Sequence, residues 1–226
     1  MKLALFDIDG TLTDTVGRPV YDEHFVRIME ASLGGARINR EWSTYPHATD
    51  SGIVRTVLET HRGAYDEAHA AEVLRVYEGA CRDVGQTISQ ISGAANALAA
   101  LDGRDDWMVG FASGNWNAIG RIKLWAAGLD PQDHLFIGAS DEESREGIMQ
   151  CAAAEGRRRH GAPLERVVYV GDAIWDVRAC RNAGLPLVGI TAPAERLTSL
   201  GVSHAVPHYE DLDGFLGALE AAEVPA

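Results

Sequence analysis

The sequence predicts an α/β fold, a doubly wound parallel sheet with an α-helical cap domain inserted after its first strand. Three observations predict it. Five short runs are apolar on both faces with little alternation, as strands buried in a parallel sheet should be. The segments between the later runs have helical patterning, and helices alternating with buried strands argue for double winding. The stretch from Thr15 to Ile91 is far too long for an ordinary crossover and must carry structure of its own.

In chain order, the strand candidates are Leu3 to Phe6, Trp107 to Ala112, Leu135 to Gly138, Val167 to Val170 and Leu187 to Ile190. Between them, 117–127 places Ile119, Ile122 and Ala126 on one helical face, and 145–159 and 176–183 run without internal proline. Inside the long insertion, helices are expected over 22–33, over 50–60 from a start at Thr49 or Asp50, and over 66–84, where Ala70, Val73, Leu74 and Tyr77 fall at helical spacing. Gly34-Gly35 and Arg62-Gly63 separate them. This divides the chain into a core of residues 1–15 and 92–226 and a cap of residues 16–91, with hinges near 15–21 and 86–92. The tail, 223–226, is expected to be loose.

Composition narrows the partners. With 33 acidic and 20 basic residues, a net charge of -13 disfavours nucleic acid or an anionic membrane as a general partner. Cys81, Cys151 and Cys180 are odd in number and far apart, which suggests neither a disulfide framework nor a zinc site. Four apolar residues between Lys2 and Asp7 are too few for the core of a signal peptide, and no apolar run approaches the roughly 20 residues of a membrane span. A cytoplasmic monomer or homodimer with reduced thiols is expected.

Polar residues follow the strand candidates: Asp7, Asp9 and Thr11 after the first, Ser113-Gly114-Asn115 after the second, and Gly171-Asp172 with Asp176 after the fourth. Aspartates often do no more than cap turns or start helices. In a doubly wound sheet, however, these strand ends converge on one cleft, and several carboxylates facing each other repel unless a cation lies between them. Hard oxygen ligands with room for a phosphate suit Mg²⁺. Ser113 and Gly114, opening onto a helix start, suit the phosphate itself.

The residues DIDGT at 7–11, Ser-Gly at 113–114 and GDAIWD at 171–176 resemble the haloacid dehalogenase superfamily of phosphohydrolases, and the helical insertion looks like that family's first type of cap. The resemblance is to phosphoglycolate phosphatase-like members. It implies a Mg²⁺-dependent phosphatase acting on a small phosphorylated metabolite, with Asp7 as the nucleophile that forms an aspartyl-phosphate. Asp9 would serve as acid and base while offering its backbone carbonyl to the metal. Asp7 and Asp172 would be carboxylate ligands, with Asp176 holding the site from behind or through water. Thr11, Ser113, Gly114 and Asn115 would bind substrate. The family usually has a lysine after the third strand, but 140–148 contains none, so Arg145 is expected to take its place, with Lys123 as competitor. In the cap, His47-Ala48-Thr49-Asp50 resembles a Gly-x-Thr-Asp substrate loop with histidine for glycine, and a plain helix N-terminus accounts for it equally well. A mutase or dehalogenase of the same superfamily, or a non-catalytic phosphate-binding protein, are the alternatives.

Overall fold

Strand β1 (Lys2–Phe6) takes the centre of the sheet because all of its residues after Lys2 are buried. The computed structural model of the protein describes residues 1–15, 20–84 and 88–226. The other strands are β2 (Trp107–Ala112), β3 (Leu135–Ile137), β4 (Arg166–Gly171), β5 (Leu187–Ile190) and β6 (His204–Val206), in the order β3-β2-β1-β4-β5-β6. All pairings are parallel. Lys2 pairs with both Trp107 and Arg166, and Phe6 with both Phe111 and Val170, so the carboxyl ends of β1, β2 and β4 finish level. The winding reverses between β1 and β4, the place where ligands bind in such sheets.

Because alternate side chains of a strand point to opposite faces, β1 feeds two cores. Ala4 and Phe6 pack with α4 (Ala94–Asp102), α5 (Asn117–Ala126) and α9 (Leu212–Ala221), whereas Leu3 and Leu5 pack with α6 (Arg145–His160) and α7 (Ile174–Ala183). A four-residue helix, α8 (Glu195–Thr198), follows β5. Within the long connection after β1 lie α1 (Val20–Ser32), a 3₁₀ turn at Trp42–Thr44, α2 (Asp50–Arg62) and α3 (Glu67–Val84). Helix α1 packs on α3, and α3 on α5. Thr49 caps α2 by accepting from the Gly52 amide, and Gly63 ends it with φ 82°, a left-handed conformation that glycine adopts without strain.

The five predicted strands and six predicted helices are present to within one or two residues. Strand β6 and helices α4, α8 and α9 went unpredicted. Strand β6 has three half-buried residues at the sheet edge, and α9 carries two internal glycines that weaken its helical signature. The tail, expected to be loose, is tied down: the Leu187 amide donates to Glu223, the Ala226 amide to Gly201, and Arg181 to the Ala226 carbonyl oxygen. Trp125 is 47% exposed. The proposed hinges fall in part on residues 16–19 and 86–87, outside the described residues. Among the described residues no helix is long and apolar enough to cross a membrane.

Candidate active site

Asp7 leaves the end of β1 with its amide still in the sheet, donating to Val170. Its side chain is buried, with one oxygen accepting from the Ile8 amide at 2.8 Å and the other from Arg145 Nη1 at 3.0 Å. Gly10, with φ 72°, then turns the chain back on itself, an angle for which glycine is suited. Asp9 thereby comes to face the same cavity as Asp7.

The two aspartates have separate cations. Asp9 accepts from Lys123 Nζ at 2.6 Å, from Asn115 Nδ2 at 2.7 Å and from the Thr15 hydroxyl, and Lys123 also donates to Asn115 Oδ1 at 2.7 Å. Burial pushes the Asp9 carboxyl up, but the Lys123 ammonium and these hydrogen bonds outweigh it and hold the group below the usual carboxylate range. Burial likewise opposes the charge on Lys123, which Asp9 and Asp50 restore until its pKa lies above that of an ordinary lysine. Arg145, the first residue of α6, reaches back to bridge Asp7 and Asp176 through one nitrogen, Nη1, at 3.0 and 2.7 Å, and its Nε donates to the Ala48 carbonyl. Of the two expected candidates, Arg145 therefore contacts Asp7 and Lys123 contacts Asp9.

Asp7, Asp172 and Asp176 are buried and bring carboxylate oxygens within 4.8 Å of one another. Burial, with Asp176 and Asp7 alongside, lifts the Asp172 carboxyl well above its ordinary range. Burial and Asp7 push Asp176 up to about 7 against the pull of Arg145. Three hard oxygen donors with more negative charge than one guanidinium offsets fit a divalent cation such as Mg²⁺. Asp176 has both oxygens engaged, one with Arg145 and the other with the Ala173 amide at 3.0 Å, which suits a supporting position better than a direct ligand. Gly171 makes this possible, since a β-carbon there would lie 2.7 Å from Asp176 Oδ2.

Asp7, Asp9, Lys123, Arg145 and Asp172 line a cavity of about 170 Å³ together with Gly114, Asn115, Trp175 and Arg196 from the sheet side and Asp22, Phe25, Trp42, Ile53 and Tyr77 from the inserted segment, with Asp176 behind it. Thr11 and Ser113 are fully buried behind it. Ser113 Oγ accepts from the amide and side chain of Asn115, and thus orients the residue that holds Asp9 and Lys123. The loop at 48–50 closes over Gly114: the Asp50 amide donates to the Gly114 carbonyl, the Trp116 amide donates to Asp50, and Thr49 donates to Glu143. Thr49 and Asp50 thus start α2, and Asp50 also faces the cavity. Burial, opposed by Lys123, pushes the Asp50 carboxyl up to about 6. Sequence reasoning missed Asp22, Trp42 and Arg196, which stand in no motif, and Trp175, which lies within GDAIWD between the two aspartates that drew attention. Phe25 and Tyr77 were visible only as apolar positions on helices.

The sequence matches the family described as haloacid dehalogenase-like hydrolases over residues 1–184. The chain belongs to the haloacid dehalogenase-like hydrolases. Among curated members, this hydrolase is 25% identical to a phosphoglycolate phosphatase of Pseudomonas syringae pv. syringae, over 93% of this chain and 74% of that protein. It is 24% identical to an N-acetylmuramic acid 6-phosphate phosphatase of Pseudomonas aeruginosa, over 94% and 93% of the two chains. In fold, the hydrolase is similar to CbbY from Rhodobacter sphaeroides, solved in complex with phosphate, with a TM-score of 0.71 at 19% identity over 96% of this chain and 98% of that one.

Proposed function

We propose that this hydrolase is a Mg²⁺-dependent phosphatase that cleaves a small phosphomonoester through an aspartyl-phosphate on Asp7, with residues 1–15 and 92–226 as its core and residues 16–91 as a cap. The observation that carries the reading is the paired arrangement of Asp7 against Arg145 and Asp9 against Lys123 at one cavity, next to Asp172 and Asp176. The phosphatase names of the curated relatives support the reaction class.

Asp7 and Asp172, with the backbone carbonyl of Asp9, would hold Mg²⁺, and Asp176 would support them from behind. When bound, the ion offsets the charge of the carboxylates and of the phosphoryl group. Arg145 lies against Asp7 and orients its carboxylate for attack on phosphorus. As the Asp7 oxygen forms its bond, the bond from phosphorus to the alcohol oxygen breaks and the alcohol takes a proton from Asp9. Asp9 must turn from Lys123 and carry a proton for that step. In the second step it is ionised, as Lys123 favours, and accepts a proton from the water that attacks the aspartyl-phosphate. Asn115 and Gly114 border the position of the phosphoryl group, Ser113 holds Asn115 through two hydrogen bonds, and Thr11 lies buried in the core.

Asp7→Asn should abolish hydrolysis of p-nitrophenyl phosphate, and activity near that of the unmodified protein would remove Asp7 as nucleophile. A chelator should silence the enzyme and Mg²⁺ restore it. Indifference to the chelator would favour the metal-free dehalogenase reading.

A further inference from the structure

The two ends of the cavity differ in charge and in chemistry. At one end are Asp7, Asp172 and the guanidinium of Arg145, with Arg196 within electrostatic reach of Asp172. The other end is walled by the inserted helices, and there Asp22 and Asp50 lie within electrostatic reach of Lys123 and Asp9. Among the described residues lining that second end, three carboxylates face a single ammonium, which is already shared between Asp9 and Asn115. The positive N-terminus of α2 offers no free anion site, since Thr49 caps it and the first-turn Asp50 supplies its own carboxylate.

Aromatic rings complete this end. Phe25 lies 6.1 Å from Trp42 and 5.3 Å from Tyr77, both edge-on, and all three rings border the cavity. Aromatic faces attract cations, and carboxylates beside them add to the attraction. A leaving group with its own carboxylate would be placed against like charge with no uncommitted cation among these residues to receive it. Resting on the phosphatase reading above, we infer that the site selects phosphomonoesters whose alcohol portion carries a protonated amine and rejects those whose alcohol portion carries a carboxylate. Asp22 and the rings of Phe25, Trp42 and Tyr77 are the specificity determinants.

Three two-carbon esters test this with the whole protein in Mg²⁺: 2-aminoethyl phosphate, 2-hydroxyethyl phosphate and phosphoglycolate. They differ in the group at the far carbon, which is an amine, a hydroxyl or a carboxylate. The expected order of kcat/KM is amine, then hydroxyl, then carboxylate, with about tenfold or more between the first and last. Asp22→Asn should shrink the amine-to-carboxylate ratio, and a ratio taken within one preparation does not depend on the fraction of protein that is folded. If p-nitrophenyl phosphate is hydrolysed but phosphoglycolate matches or exceeds the amine ester, or none of the three esters is turned over, the substrate class is wrong and the phosphatase reading stands. If p-nitrophenyl phosphate is not hydrolysed either, the phosphatase reading falls and takes this inference with it.

Discussion

Arg145→Ala is the perturbation whose effect can be worked from the structure most directly. The guanidinium is 11% exposed, and the carboxylates it bridges are 3% and 0% exposed, so its loss leaves Asp7 and Asp176 buried, facing Asp172 and without their cation. Removing one partner of a buried ion pair costs about 3–5 kcal/mol, because the remaining charge keeps its desolvation penalty. For a domain of this size each kcal/mol moves the melting temperature by roughly 2–4 °C, so a fall of about 6–20 °C is expected. Urea unfolding followed by circular dichroism, in chelator, measures the loss. Arg145→Lys should recover more than half of it: Nη1 alone makes both carboxylate contacts, and an ammonium can occupy that point, losing chiefly the 3.3 Å bond from Nε to Ala48. Mg²⁺ should stabilise the alanine variant more than the parent, since the ion takes over part of the missing charge. A loss under about 1 kcal/mol for Arg145→Ala, or no difference between the alanine and lysine variants, would refute the ion-pair reasoning.

Lys123→Met should destabilise the fold by about 1–3 kcal/mol by stranding Asp9. Pairing it with Asp9→Asn should cost less than the two single losses together, and simple additivity in a double-mutant cycle would sink that coupling. Asp50 carries a pH signature: its carboxyl sits at about 6 in the fold against the ordinary 3.8, so the folded state holds the proton more tightly and stability falls as pH rises from 3.8 through 6. Asp50→Asn escapes this, and its stability relative to the parent should improve by about 2 kcal/mol between pH 4 and pH 7, from somewhat under two units at 1.36 kcal/mol each; a pH-independent difference would contradict it. At Gly114 a β-carbon would meet Arg145 Nη2 at 2.8 Å and the Ala48 carbonyl oxygen at 3.0 Å, so Gly114→Ala should cost about 1–3 kcal/mol and lower phosphatase activity. A fully active, equally stable variant would show that the 48–50 loop does not need to seat there.

The sheet was legible in the sequence because its strands are buried on both faces and read as unbroken apolar runs, and the clustering of Asp7, Asp9, Asp172 and Asp176 followed from where those runs end. What escaped was set by tertiary contact. His204–Val206 becomes a strand only because β5 offers it an edge. Lys123 stood one residue from Ile122 on an apolar helical face, and nothing local shows that its ammonium is drawn inward by Asp9 and Asn115. Trp42 and Asp22 lie far apart from each other and from every motif, and they reach the cavity only through the packing of the inserted helices. The tail looked loose because its anchors, Arg181, Gly201 and Ser203, are distant in sequence and bind mainly its backbone.

The loop at 48–50 joins the two halves of the cavity. Its Ala48 carbonyl steadies Arg145, the cation on Asp7. Its Asp50 receives the Trp116 amide and contributes to the charge at the leaving-group end. Arg55 of α2 adds an ion pair to Glu143, beside the Glu143 carbonyl that receives Thr49. A shift of the inserted helices away from the sheet would therefore do more than open the cavity. It would withdraw a hydrogen bond from Arg145 and loosen the orientation of Asp7, while moving Asp22 and Asp50 away from Lys123 and so changing the charge felt by Asp9. Chemistry and selectivity are coupled through three residues of one helix start, Ala48, Thr49 and Asp50, and so the phosphoryl-group and leaving-group ends should respond together to any substitution that unseats it.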